Sequence, residues 1–306
     1  MNPSTTSKIN AALKHAETEL SRLSGSWSKP ALIDEHVKQL MARASLDEYH
    51  TVPRELSKQL ESASKEKPNL PLLWSRAFML ATMREHANTI SAFNYPDSVR
   101  DLIERESGRI LSTLEQANPD YVLGNDVYIK DLMCFTGRLV PCGMYVVDLY
   151  GGFPRSYLLK PNLLNALPNL WFVARAGGFR RYAQVHVHHP TIHEFSEAGR
   201  DRCFTCISDI MRRDSGLLGL MGSAWYYDPI VRAISPNLAY LSEGPANNGA
   251  RFFNLGETQA ARDNALARSN KRREHYAQGI YKPRQFVMLW PRVAFFEWIE
   301  ARHKNR

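Results

Sequence analysis

The chain predicts an α/β protein of the α+β kind, with an N-terminal helical region followed by a mixed, largely antiparallel sheet with helices. Three observations carry this. Apolar residues recur at helical spacing up to about residue 120. Beyond it, short β-type runs are punctuated by glycine pairs. Of 306 residues, 44% are hydrophobic and 23% charged, ordinary for a soluble globular chain that can bury a sizeable core. The expected domains are residues 1–120, helical, and 121–306, an α/β domain with the candidate active site and a basic C-terminal segment.

"STTSKINAALKHAETELSRL" offers Ser and Thr caps and then Ile9, Leu13, Leu20 and Leu23 on one helical face. Gly25 and Pro30 break it. "PALIDEHVKQLMARA" and the more polar "PRELSKQLESASKEK" are two further helices. "LPLLWSRAFMLATMREHANTISAF" is apolar nearly all round and reads as the buried central helix. Pro96 opens the next helix, which "NPD" ends.

After residue 120, "MYVVDLYGGFPRSYLLK" reads as two strands joined at Gly151-Gly152. "LWFVARA" and "RRYAQVHVHH" are two more strands, parted by Gly177-Gly178. "SEAGRDRCFTCISDIMRRDSG" is a helix with a glycine stop, and "LLGLMGSAWYY" a strand whose glycines allow close backbone approach. "LAYLSEG" and "ARFFNLG" read as a hairpin around "PANNG". "ETQAARDNALARSNKRREHYAQG" is one capped helix, "PRQFVMLWP" a final strand and "RVAFFEWIEARH" a final helix.

The start, "MNPSTTSKINAALKHAETELSRL", lacks the apolar run of a secretory signal. The uncharged run Ser215 to Tyr227 is too short and too glycine-rich to span a bilayer. A cytoplasmic protein without a membrane span is expected. Four cysteines are too few for a disulfide scaffold. Cys203 and Cys206 form a CxxC in mid-helix beside Ile207 and Ile210, which reads as packing rather than redox chemistry. Residues 262–306 hold eleven Lys and Arg against four Asp and Glu, almost all of the net charge of +8. A folded element with a basic face suits an anionic partner. No DNA-binding signature is present, and nucleic acid is not the expected partner. Walker A, GxGxxG, HExxH and GxSxG are all absent.

The densest chemistry lies in "RYAQVHVHHPTIHEF", which holds four of ten histidines. On a strand, Gln184, His186 and His188 share one face and Ala183, Val185 and Val187 the other, with His189 behind. His186 and His188 would then lie about 7 Å apart. One reading is a metal site of His186, His188, His193 and Glu194. A second is a general base that deprotonates an amine or water. A third is hydrogen bonding at a sheet edge without chemistry. "GLMGSAWYYDPIV" brings Trp225, Tyr226, Tyr227 and Asp228 together after glycines, and a tyrosine beside a carboxylate could serve as acid or orient substrate.

This order of elements resembles that of the GNAT acyltransferases over residues 140–256, with "YAQVHVHH" in place of the fourth strand and "GLMGSAW" of the fifth. The resemblance implies a base on the fourth strand facing the acceptor amine, matched by His186 or His188. It implies a tyrosine that protonates the leaving thiolate: Tyr226, Tyr227 or Tyr240. The family's pyrophosphate loop, Q/R-x-x-G-x-G/A, is matched loosely by "RDSGLLG", with Arg213, Gly216 and Gly219. Lys271, Arg272 and Arg273 would assist with the donor's phosphates. "GSAWYYDP" and "ISPNLAYL" also resemble segments of bacterial proteins of no assigned activity. The leading expectation is an N-acyltransferase acting on a small molecule, with acyl-CoA or another acyl thioester as donor. The alternatives are a divalent-metal enzyme and a non-enzymatic module with a basic docking face.

Overall fold

A computed structural model describes residues 1–23, 25–65, 67–159 and 166–304. The expected fold class is observed: helices followed by six strands in mixed, largely antiparallel pairing. The chain divides into two compact units, Met1–Asp148 with Val187–His193, and Leu149–His186 with Glu194–Arg306.

The first unit opens with five helices: α1 (Pro3–Ser21), α2 (Pro30–Arg43), α3 (Thr51–Ala63), α4 (Leu70–Thr89) and α5 (Asp97–Glu115). The cap of α1 is Asn2, not Ser or Thr; its side chain accepts from the Thr5 amide, and Pro3 needs no partner at the first turn. The all-round apolar character of α4 has the expected consequence. Trp74, Ala77, Phe78, Met79, Leu80 and Met83 are wholly enclosed, and α1 and α2 pack against the helix. Each such large side chain contributes about 1.5–3 kcal/mol through burial.

Two elements of this unit went unread in the sequence. Asn125 caps α6 (Asp126–Cys134) by accepting from the Val127 and Tyr128 amides. β1 (Leu139–Pro141) pairs antiparallel with β2 (Tyr145–Asp148). The turn between them uses Gly143 at φ 77°, and the Cys142 amide donates to the Tyr145 carbonyl at 2.9 Å. The expected hairpin at Gly151-Gly152 is therefore replaced by one centred on Gly143. A buried Arg138–Asp148 ion pair at 2.8 Å ties the two strands, and Arg138 also donates to the Ala44 carbonyl at 3.0 Å.

The second unit holds α7 (Ala166–Arg175), β3 (Ala183–Val187), α8 (Glu197–Arg213), β4 (Gly219–Ala224), α9 (Val231–Ile234) and α10 (Tyr240–Asn247). Then come β5 (Arg251–Glu257), α11 (Gln259–Leu266), α12 (Asn270–Ala277), β6 (Arg284–Pro291) and α13 (Arg292–Lys304). Its strands run in the order β3-β4-β6-β5. β3 is parallel to β4, in register from Ala183–Leu220 to Val185–Gly222, and the remaining pairs are antiparallel. Helix α8 makes the crossover that a parallel pair requires. One face of the sheet packs Met221, Phe253, Val287 and Leu289 against Phe153, Val173 and Tyr182. A second aromatic cluster sets Trp290 against Phe204, Phe295 and Trp298.

Several expected strands are helical. Most of "LWFVARA" lies in α7, where the buried residues Asn169 and Val173, followed by Ala176 just past the helix, have helical spacing. Gly177 and Gly178, at φ 106° and 89°, end that helix, with the Gly178 amide on the Val173 carbonyl at 2.8 Å. "SYLLK" forms a 3-10 turn over Arg155–Leu159, and its Lys160 lies outside the described residues. "LAYLSEG" begins α10, so β5 takes β6 as its partner instead. The long basic helix is two, since Ser269 accepts from the Arg272 amide and caps α12 afresh.

His86 supplies a test of the first unit's core. Its ring is wholly enclosed, stacked on Phe93 at 5.5 Å and edge-on to Phe135 at 5.6 Å. Burial lowers its pKa to about 4. The unfolded chain takes up a proton near pH 6.5, which the folded state refuses until about pH 4. Stability is therefore unaffected above that window and falls by about 3 kcal/mol on descending through it. Denaturant titrations at pH 7 and pH 4.5 check this; His86→Phe should flatten the loss.

Candidate functional site

The histidine stretch resolves into residues with different fates. Strand β3 stops at Val187, so alternation does not extend to His188. His186 is half-buried in β3. His188 is 2% exposed, and its Nε2 donates to Asp131 Oδ1 at 2.8 Å. His189 is exposed, in a 3-10 turn over His189–Glu194. His193 is also exposed, and its Nδ1 donates to the Pro190 carbonyl at 3.1 Å. Glu194 is half-buried at the end of that turn. Among the described residues, no group of three or more His, Cys, Asp or Glu side chains could hold a metal ion. The quartet His186, His188, His193 and Glu194 is thus not a ligand shell in this structure.

Asp131 is the centre of the first unit's polar interior. Helix α6 carries it, 2% exposed, towards α5 and the Tyr121 turn. Its Oδ1 accepts from Arg109 as well as from His188, and its Oδ2 accepts from the Tyr121 hydroxyl at 2.6 Å. Arg109 in turn donates through Nε to Glu106 at 2.7 Å. Burial alone would raise the Asp131 pKa. The His188 hydrogen bond and the Arg109 charge outweigh it and hold the carboxyl below its ordinary value. The same burial, with Asp131 close by, pushes the Tyr121 hydroxyl and the Cys134 thiol well up.

An ionised Asp131 only accepts, so the proton of the bond lies on His188 Nε2. In the neutral imidazole Nδ1 then carries the lone pair. That atom is buried without a hydrogen-bond partner. The backbone around it is pinned: Lys130 donates to the Val187 carbonyl at 2.9 Å and Thr191 to the His188 carbonyl at 3.1 Å. An imidazole fixed by a carboxylate, with its other nitrogen unsatisfied, has the orientation of a general base. Sequence reasoning missed Asp131, Arg109 and Tyr121, since their 57, 79 and 67 residues of separation from His188 leave no local pattern.

The aromatic stretch is differently built. Trp225–Tyr227 is a 3-10 turn beyond β4, with Tyr226 and Tyr227 buried edge-to-face at 4.9 Å. Tyr227 reaches over Gly222, where an added Cβ would stand 2.9 Å from its hydroxyl. Tyr240 begins α10. Asp228 is wholly buried and takes both Nε and Nη2 of Arg284 at 2.8 Å, while its Oδ1 accepts from the Ile230 amide at 3.2 Å. These bonds make Asp228 a tether between the turn and β6 and explain it without chemistry.

The expected phosphate residues are placed elsewhere than expected. Arg213 and Gly216 are exposed at the C-terminal end of α8, where the helix dipole disfavours an anion. An added Cβ at Gly219 would lie 2.1 Å from the Trp290 carbonyl, so this glycine serves the close approach of β4 to β6. Arg272 is buried, stacked 4.5 Å over Trp225, and donates to the Ala265 carbonyl at 2.6 Å and Ser235 at 3.1 Å. Arg273 donates to the Leu266 carbonyl at 2.7 Å, and Lys271 is exposed. Cys203 and Cys206 are buried on α8, as packing requires.

Two variants test these assignments. Asp131→Asn should destabilise the fold by about 1–3 kcal/mol, because Arg109 and His188 lose a buried charge-assisted acceptor while Glu106 still pairs with Arg109. Asp131's contribution is full above the ordinary carboxylate range and is lost as pH falls through its lowered folded pKa, so the variant should also show a shallower acid limb in its melting temperature. Gly219→Ala should cost about 2 kcal/mol or more by forcing β4 from β6, read as a lower denaturation midpoint. Compared with known protein families, curated proteins and solved structures, the chain matches none.

Proposed function

We propose that the chain is an enzyme that transfers an acyl group from a thioester to a small amine, with His188 as general base. The observation that carries this is the Asp131–His188 pair with its partnerless Nδ1. On this reading Nδ1 takes the proton of the attacking amine as the C–N bond forms and the C–S bond breaks. The thiolate leaves and is protonated by a tyrosine hydroxyl or water. Amine and thioester become amide and thiol. Asp131 stabilises the imidazolium that forms, and Arg109 keeps Asp131 ionised meanwhile.

The choice of acyl transfer rests on one part of the element order that resembles the GNAT family, the strand–helix–strand run of "YAQVHVHH", α8 and "GLMGSAW"; the strands expected at "SYLLK", "LWFVARA" and "LAYLSEG" are helical and lend nothing to it. The parallel β3–α8–β4 crossover supports it, because open sheets bind ligands outside the carboxyl ends of parallel strands. Those ends bear His186 and the Trp225–Asp228 turn. His188 is closed off in this state, so the reading includes an opening step before substrate reaches Nδ1.

The test is thiol release from a panel of acyl thioesters, acetyl-CoA among them, with small amines. His188→Gln should lower kcat by about 10²–10⁴-fold while the circular dichroism spectrum stays native. Wild-type protein that releases no thiol from any donor would remove the reaction class. Activity lost in His186→Ala but retained in His188→Gln would move the base to β3.

A further inference from the structure

Helix α7 has two apolar faces, and only one is used by the core. Asn169, Val173 and Ala176 point inward. Leu167, Leu170, Trp171 and Ala174 stand at i, i+3, i+4 and i+7 on the other side, and all four are exposed. The large ones are bare: Leu167 is 78% exposed, Trp171 66% and Leu170 42%. The 3-10 turn Arg155–Leu159 packs on α7 and adds Leu159, 58% exposed. Scattered exposed leucines need no explanation, but a helical stripe that includes a tryptophan does.

The stretch of sequence that carries the stripe is charged with one sign. Between Asp148 and Glu194 the sequence holds no Asp or Glu and five Lys and Arg. Arg175 lies over the Trp171 ring at 5.8 Å, Arg251 over Phe172 at 5.6 Å and Arg155 over Phe179 at 5.5 Å. Leucine and tryptophan tips amid guanidinium groups match the two layers of a lipid surface, the acyl boundary and the phosphates above it. A second copy of this chain would bring the same basic rim against itself, which like-charge repulsion opposes. Nucleic acid would leave the leucines unused. Among the described residues no helix is long and apolar enough to cross a membrane, and the contact proposed is a peripheral one.

We infer that the outer face of α7, with Leu167, Leu170 and Trp171 beside Arg175 and with Arg251 on the Pro168 carbonyl, docks on an anionic lipid bilayer surface. The test is co-sedimentation of the full chain with phosphatidylcholine vesicles, with and without phosphatidylglycerol. Binding should require phosphatidylglycerol and weaken with salt. Leu170→Ser with Trp171→Ser should weaken it by roughly tenfold or more. Both side chains are exposed, so the melting temperature should stay put. Arg175→Glu should weaken binding too. Absence of binding to phosphatidylglycerol vesicles, or binding unchanged in the double variant, would overturn the inference. A concentration-dependent dimer that the double variant abolishes would assign the stripe to a second copy and overturn it equally.

Discussion

One buried carboxylate organises the first unit. Asp131 sits where a lone negative charge would cost several kcal/mol in lost hydration. It persists as a charge because three donors converge on it: the Arg109 guanidinium, the Tyr121 hydroxyl and the His188 imidazole. Each comes from a different stretch of chain. The carboxylate therefore fixes α5, α6, the Tyr121 turn and the segment after β3 at a single point, a constraint that apolar packing could meet only with lower angular precision. It also sets which nitrogen of His188 bears the proton. The same atoms that hold the segments together thus fix the orientation of the imidazole.

The second unit handles charge by a different device. Its basic C-terminal segment is turned inward to close backbone ends. Arg292 donates to the carbonyls of Met211, Asp214 and Leu217 at the end of α8. Arg272 and Arg273 do the same for the end of α11. Arg302 binds Asp201 and lies over Trp298. Five donors in a planar fork suit this work better than an ammonium does. Part of the positive surplus read from composition is thus engaged by backbone carbonyls and carboxylates within the fold, while Lys271, Lys282 and Lys304 remain exposed.

The sequence was most legible where the signal is local. Helices α1 to α5 follow from apolar spacing, with Pro30 and Pro96 as punctuation, although the cap of α1 is Asn2 and not the expected Ser or Thr. Strands β5 and β6 follow from Phe, Val and Trp content. Failures came where two readings of a short apolar run compete. "LWFVARA" has β-prone residues, but Asn169 lies at the position inward to Val173, and a helical register buries both. The Gly177-Gly178 pair was read as a strand boundary when it is a helix stop. Within the site, His188 was found because histidines cluster visibly. Its partner was not, because a lone Asp within "YIKDLMC" carries no mark of the contact it makes 57 residues away.

The two units are not consecutive stretches of chain, and this bears on how the protein is made. Residues 187–193 belong to the first unit yet follow a stretch of the second. During synthesis Asp131 emerges 57 residues before His188, so their contact can form only after residue 188 has left the ribosome. A fragment ended at Asp148 lacks His188 altogether. A single cut at any one peptide bond therefore cannot separate the two units, because residues 187–193 of the first are flanked on both sides by residues of the second.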